Sequence, residues 1–231
     1  MSQEKVMLIT GGSSGIGAAT ARRAHAAGYA LVLAARGERG LQAIADQFGT
    51  PDRVMTQTCD VCEWPQIQAL TAAALARFGR IDAVFANAGF GLTRGFTTAT
   101  PEQWRAMVLT NVYGVALTIR ANIAAVTESR GHFILTGSVA GRKALPGSMY
   151  SATKWAVSAM GESLRQELNG TGARVTLIEP GFVETPFFEH GSPQEDSLEA
   201  DDVARAIMFA LEQPSRVDVN EILVRPTTQD V

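Results

Sequence analysis

Cysteine is almost missing from this chain: Cys59 and Cys62 are the two thiols in 231 residues. That count excludes a disulfide framework and suits a reducing cytoplasm, the expected location. The pair has a C-x-x-C spacing, but no second pair follows it and the three histidines lie far apart in sequence. Buried or half-buried thiols at a strand end are expected there, and no metal site. An excess of either charge is missing too: 20 Lys and Arg stand against 23 Asp and Glu, with no run of like charges. Such a balance gives neither nucleic acid nor an anionic membrane a reason to bind. No uninterrupted apolar stretch long enough to span a bilayer is visible. Met1 to Lys5 lead into an apolar segment without a signal-peptide pattern. Repeats, linkers and low-complexity tracts are lacking, which leaves one domain over residues 1–231.

What is present is an alternation of elements. Hydrophobic residues make up 46% of the chain, enough for a substantial core. Residues 6–10 form a continuous apolar run, as in a strand buried on both faces. Further strands are expected at 30–35, 54–59, 81–86, 132–137, 174–178 and 221–224. Helices are expected at 15–27, with Gly28 as C-cap signal, and at 38–48, 63–78, 101–129, 149–169 and 201–211. Thr100 is a suitable N-cap for the fourth of these, and Pro101 suits its first turn. Strands separated by helices imply parallel pairing with right-handed crossovers. The expected fold is therefore α/β: a Rossmann-type doubly wound parallel sheet of about seven strands, helices on both faces. Ligands in such sheets bind at the carboxyl ends of the strands, near the point where strand order reverses.

The residues with chemical potential fall in those places. Tyr150 and Lys154 are four apart, twelve residues beyond Ser138. That spacing puts phenol and ammonium on one helix face, where the cation favours the phenolate and lowers a pKa ordinarily near 10. After the first strand comes T-G-G-S-S-G-I-G, Thr10 to Gly17. Gly11 suits a tight turn, Gly15 lets backbone approach a pyrophosphate, and Gly17 lets the helix pack close to the sheet. The helix that starts there points its amides at phosphate. The spacing G-x-x-x-G-x-G departs from the usual dinucleotide fingerprint. Together the tyrosine–lysine pair and the phosphate turn indicate a redox enzyme.

With these motifs the chain resembles a short-chain dehydrogenase/reductase of the common roughly 250-residue type. The resemblance rests on T-G-x-x-x-G-x-G at Thr10 to Gly17, Asp60-Val61 and N-A-G at Asn87 to Gly89. It also rests on Asn111, Ser138, Y-x-x-x-K at Tyr150 to Lys154, and P-G-x-V-x-T at Pro180 to Thr185. It implies that Tyr150 is general acid in ketone reduction and general base in alcohol oxidation. Lys154 would lower its pKa and bind the nicotinamide ribose, Ser138 would hydrogen-bond the substrate oxygen, and Asn111 would hold a water linking Lys154 to solvent. Cofactor contacts are implied for Gly11, Ser13, Ser14, Gly15, Ile16 and Gly17, for Asp60 and Val61, and for Asn87, Ala88 and Gly89. Tyr150, Lys154, Pro180, Gly181, Val183 and Thr185 complete that set. Each residue also has a plainer reading: Ser138 as a turn or cap residue, Asp60 as a helix cap, Asn111 as a backbone brace.

Cofactor choice turns on the end of the second strand. An acidic residue there accepts from the ribose 2′-hydroxyl in NAD enzymes; here Ala35 occupies the place and Arg36 follows. A guanidinium binds a 2′-phosphate as a forked donor, with Ser13 adding a hydroxyl, so NADP(H) is expected. If Arg36 is only a solvated charge, NAD(H) is accepted as well. A substrate loop is expected at about 182–200, containing Phe187, Phe188 and His190, and open to a small carbonyl or alcohol. The stretch from Asn220 to Pro226 resembles a subgroup acting on short 3-hydroxy acids and related aldehydes or ketones. Apolar residues on more than one side of two helices (Trp104, Val108, Val115, Ile119, Trp155, Met160) call for a second surface, and a homotetramer or homodimer is expected. The reading is a short-chain alcohol dehydrogenase or carbonyl reductase. The alternative is a non-catalytic NADP(H)-binding sensor or scaffold; such proteins usually lose the tyrosine or the lysine, and this chain keeps both.

Overall fold

Strand β1 (Val6–Thr10) is buried at all five positions, and alternate residues serve opposite faces of the sheet. Met7 and Ile9 join one apolar cluster, Val6 and Leu8 the other. The computed structural model describes residues 4–187 and 196–230. Along the chain, α1 (Gly15–Ala26), β2 (Ala30–Ala35), α2 (Glu38–Ala45), β3 (Val54–Thr58), α3 (Trp64–Phe78) and β4 (Ala83–Ala86) follow β1. Then come α4 (Pro101–Val108), α5 (Gly114–Ser129), β5 (His132–Thr136), α6 (Met149–Glu167), β6 (Arg174–Pro180), β7 (Val183–Glu184), β8 (Leu198–Glu199), α7 (Ala200–Leu211) and β9 (Glu221–Val224). The main sheet has seven strands in the order β3-β2-β1-β4-β5-β6-β9, each pair parallel. This is the doubly wound sheet read from the sequence.

Two helical layers cover it. Ala21 of α1, Leu41 of α2 and Ile207 of α7 pack with Met7, Leu33 and Phe85 on one face. Leu70 of α3, Val126 of α5 and Leu164 of α6 pack with Leu8, Val84 and Phe133 on the other. Burying each large side chain contributes about 1.5–3 kcal/mol, which makes these two layers the main source of stability. Chain order reverses between β1 and β4, so the crevice that a doubly wound sheet offers a ligand opens at their carboxyl ends.

Helix ends follow local chemistry. Thr100 and Gln103 form a capping box ahead of α4, with Pro101 in its first turn. Helix α2 stops at Ala45, earlier than expected, because the amides of Gln47 and Phe48 turn back to carbonyls only three residues away. Strand β4 starts at Ala83, and β6 runs on to Pro180. The single helix expected over 101–129 is interrupted by a π turn at Leu109–Tyr113. By length and composition this helical run is apolar enough to cross a membrane, although Asn111, Arg120 and Asn122 interrupt its apolar residues. Its buried side chains, among them Val115, Leu117 and Val126, are spent on the domain's own core. The short parallel pair β7–β8 was not foreseen. It flanks the expected substrate loop, of which Phe188 and His190 lie outside the described residues. Cys59 is buried and Cys62 half-buried, both free, and burial pushes the Cys59 thiol up to about 11.

His132 gives the fold an acid limit. It is buried at 1% exposure beside Thr176, whose hydroxyl donates to the Val219 carbonyl and lies 2.7 Å from His132 Nε2. Burial and the nearby Arg174 hold its pKa down to about 3, against 6.5 for the free side chain. Below pH 6.5 the unfolded chain takes up a proton that the folded chain refuses, so stability falls as pH drops from 6.5 towards 3. The slope is about 1.4 kcal/mol per pH unit. Urea melts at pH 7, 6 and 5 should show this slope in excess of that of His132→Gln; parallel curves for the two proteins would contradict it.

Candidate active site

Asn87, just past β4, ties the strand ends together. Its Nδ2 donates to the carbonyls of Thr10 and Gly11, both at 3.2 Å, and its Oδ1 accepts from Thr136 Oγ1 at 3.3 Å. The Thr10 hydroxyl accepts from the Asn87 amide at 3.1 Å. The carboxyl ends of β1, β4 and β5 are thereby pinned side by side. Around them lie most of the residues singled out by motif.

The glycine loop runs from Gly11 to Gly17. Gly15 has φ of +51°, a conformation that other residues adopt only with strain, and a β-carbon there would lie 3.2 Å from Thr185 Cγ2. A side chain at Gly17 would overlap the Gly11 carbonyl, so helix and loop meet backbone to backbone. Among the described residues no side chain caps the first turn of α1, with Ser14 extended at the N-cap, and the turn itself contains no acidic residue. Its amides, including those of Ile16 and Gly17, remain available to an anion. Ser13 sits over the start of α2, where a β-carbon on Gly40 would come within 3.2 Å of it. Arg36 is exposed at the end of β2 and makes no ion pair among the described residues. This set fits a dinucleotide: a backbone cradle for its phosphates and a free guanidinium at the second strand.

On the other side of the crevice stand Ser138, Tyr150 and Lys154. Ser138 caps the short 3₁₀ turn Val139–Gly141: its Oγ accepts from the Ala140 amide at 3.1 Å and donates to the Pro180 carbonyl at 3.4 Å. The Tyr150 phenol lies close enough to this hydroxyl for its deprotonation to be eased by it, so cap and site residue are one group. Lys154 is 4% exposed, donates from Nζ to the Thr136 carbonyl at 2.7 Å, and lies 5.5 Å from the centre of the Tyr150 ring. The titration expected from the sequence needs correction. Burial pushes the Tyr150 phenol above its ordinary value, and the nearby Ser138 hydroxyl opposes the shift. Lys154 is itself lowered to about 8 by burial. Desolvation dominates both shifts, because burial penalises the charged form of each group.

Asn111 lies in the π turn and is 1% exposed. Its Oδ1 accepts from the Phe90 amide at 3.0 Å, and its Nδ2 donates to the Phe90 carbonyl at 2.9 Å and to Thr153 Oγ1 at 3.1 Å. The side chain is a brace between the Ala88–Phe90 loop and α6, with Gly89 packed on its Oδ1. Asp60 does not cap α3, whose N-cap is Glu63. Its Oδ1 accepts from the Cys62 amide at 2.9 Å, an Asx turn, while buried Val61 packs against Gly114 at the end of the π turn. Pro180 ends β6, the Gly181 amide donates to the Val224 carbonyl, and buried Val183 leads to Thr185.

Two features carried no sequence signal. Gln229, two residues from the C-terminus and 7% exposed, accepts the Phe182 amide at 2.9 Å and anchors the Pro180–Thr185 segment. Glu179, fully buried, accepts from Arg142 Nε at 2.8 Å and from Ser158 at 3.3 Å, clamping the strand end behind Ser138.

Comparison with known proteins bears on the family and the fold. The profile of the short chain dehydrogenase family matches residues 5–196. An uncharacterised oxidoreductase of Staphylococcus epidermidis is 39% identical over 227 residues, covering 97% of this chain and 98% of that protein. An alcohol dehydrogenase from the archaeon Thermococcus sibiricus, solved with 5-hydroxy-NADP, superposes with a TM-score of 0.91 at 31% identity, covering 98% of each chain. A 3-ketoacyl-(acyl-carrier-protein) reductase from Brucella melitensis, solved with NADH, gives 0.89 at 28% identity over 96% of this chain and 97% of that one. The chain belongs to the short chain dehydrogenase family, a family of oxidoreductases.

Proposed function

We propose that the protein is an NADP(H)-preferring alcohol dehydrogenase or carbonyl reductase. The observation that carries this reading is the meeting of Tyr150, Ser138 and Lys154 across the crevice from an uncapped, glycine-lined helix start. The nicotinamide cofactor, when bound, supplies or accepts the hydride. The amides of Gly15, Ile16 and Gly17 would hold its phosphates, with Gly11 and Ser14 shaping the turn. Asp60 and Val61 would border its adenine, Asn87 to Gly89 would let backbone approach it, and Pro180 to Thr185 would face its nicotinamide end. Lys154, still charged at pH 7 with a pKa of about 8, would donate to ribose hydroxyls.

In reduction, Tyr150 gives its proton to the carbonyl oxygen as negative charge develops there. A phenol raised by burial is fully protonated at neutral pH, as a proton donor must be. Ser138 donates to the same oxygen and stabilises the developing charge. Asn111 fixes the Phe90 loop against α6 and would hold a water that links Lys154 with solvent. The substrate is a small carbonyl compound or the matching alcohol. The two free thiols suit a cytoplasmic setting.

Arg36 and Ser13 support NADP(H) over NAD(H). Arg36→Ala should weaken NADPH binding by about one to two decades, the worth of a charge-assisted contact, and leave NADH nearly unchanged. Isothermal titration with both cofactors tests this; equal losses, or none, would reduce Arg36 to a surface charge. A homotetramer or homodimer is proposed from the helix faces carrying Trp155, 49% exposed, and Tyr113, 46% exposed. Light scattering at micromolar concentration should give twice or four times the 24.6 kDa chain mass, and a monomer would refute it.

A further inference from the structure

The mechanism uses the hydroxyl of Tyr150 and leaves its ring aside. Phe187 lies against that ring edge-on, with centroids 5.6 Å apart and planes at 66°. Gly91 lies directly behind Phe187. A β-carbon on Gly91 would stand 2.8 Å from Cζ and 2.9 Å from Cε1 of Phe187, and 3.8 Å from Cδ2 of Tyr150. Only a residue without a side chain leaves Phe187 room to rest there. The floor beneath is fixed, because Asn111 holds both the amide and the carbonyl of the preceding Phe90. Phe187 is tied from its own side as well: its amide donates to Thr185 Oγ1 at 3.4 Å. The ring is thus a wall held at both ends, edge-on to the ring of the residue that protonates the substrate.

A carbonyl reduced at this site brings its oxygen within about 2.6–3.2 Å of the Tyr150 hydroxyl. Its two flanking groups then diverge, and one of them faces the wall of Phe187 and Gly91. We propose that Phe187, seated on Gly91, sets the size limit for that flanking group, admitting hydrogen or methyl and turning away larger substituents. The preferred substrates are then aldehydes and methyl ketones, with primary and methyl-bearing secondary alcohols in the reverse direction. This rests on the oxidoreductase reading above and narrows its substrate class.

Acetophenone and propiophenone share a phenyl ring and differ by one methylene on the small side. With NADPH, the wild-type enzyme should favour acetophenone in kcat/KM by about tenfold or more, the discrimination that one methylene gives in a closed apolar pocket. Phe187→Ala should bring the ratio close to one and Phe187→Leu to an intermediate value, with NADPH affinity unchanged in both. Having two variants guards against misfolding of either. Turnover with the wild-type ratio retained in both variants overturns the proposal. So does a matching loss of NADPH affinity in both, which would make the ring a support for the cofactor. If the wild-type protein binds NADPH and reduces neither these ketones nor any aldehyde, the functional reading fails and this proposal with it.

Discussion

Tyr150→Phe should lower kcat for ketone reduction by about 100- to 10,000-fold, the contribution typical of a positioned general acid. In activation free energy this is roughly 3–5 kcal/mol. The change removes one oxygen and leaves the ring, so the edge-on contact with Phe187 at 5.6 Å and the helical backbone of α6 are kept. Thr153 hydrogen-bonds the carbonyl of Tyr150, not its phenol, and that bond also survives. NADPH affinity should therefore change little. The Ser138 hydroxyl keeps both of its hydrogen bonds, to the Ala140 amide and the Pro180 carbonyl. Steady-state rates with NADPH at 340 nm, together with a cofactor titration, separate the two effects. A variant that keeps most of the wild-type rate would place the proton donor elsewhere.

Lys154→Met should abolish most activity while improving the pH-dependent part of stability, because the site holds a buried cation at the expense of the fold. Removing one preorganised donor of this kind costs about 10²–10³ in kcat, and NADPH affinity should fall with it as the ribose contact goes. The stability argument runs the other way. Above pH 10.5 the amine is neutral whether folded or unfolded and its burial carries no charge penalty; below about pH 8 it is charged in both states and the full penalty applies. Between these values the unfolded chain binds more protons, so wild-type stability rises with pH. The shift from 10.5 to about 8 amounts to roughly 3 kcal/mol at pH 7. Against it stands the Thr136 carbonyl, which loses its 2.7 Å partner at a penalty of about 1–3 kcal/mol. At pH 7 the variant should be as stable as wild type or slightly more so, and wild type should gain on it by about 2–3 kcal/mol between pH 8 and 10. Urea melts at both pH values decide the matter: a constant difference would mean that Lys154 titrates normally.

Much of this molecule was legible before its coordinates. The apolar run at Val6–Thr10 and the alternation of elements after it require a buried parallel sheet, and all seven main strands lie where expected. The glycine turn, Asn87, Ser138 and the tyrosine–lysine pair meet at the carboxyl ends of the central strands. What stayed hidden depends on contacts distant in sequence. Glu179 and Arg142 are buried or half-buried partners separated by 37 positions, and Gln229 reaches Phe182 across 47. No periodicity marks such pairs. The π turn at Leu109–Tyr113 was invisible because five residues at a slightly wider pitch keep the helix's apolar pattern. The sign of the Tyr150 shift was misjudged for a related reason: spacing shows that a cation is near, and only packing shows how dry the site is.

In the proposed reaction a hydride passes from the nicotinamide ring to a carbonyl carbon beside Tyr150. The most direct measurement uses NADPH deuterated in turn at each face of its C4 position, with acetophenone, and mass spectrometry of the alcohol formed. The account predicts one deuterium on the carbinol carbon from one of the two labelled cofactors, and loss of that product in Tyr150→Phe. NADPH bound but unconsumed across aldehydes and ketones, or alcohol formed without label from either cofactor, would contradict it.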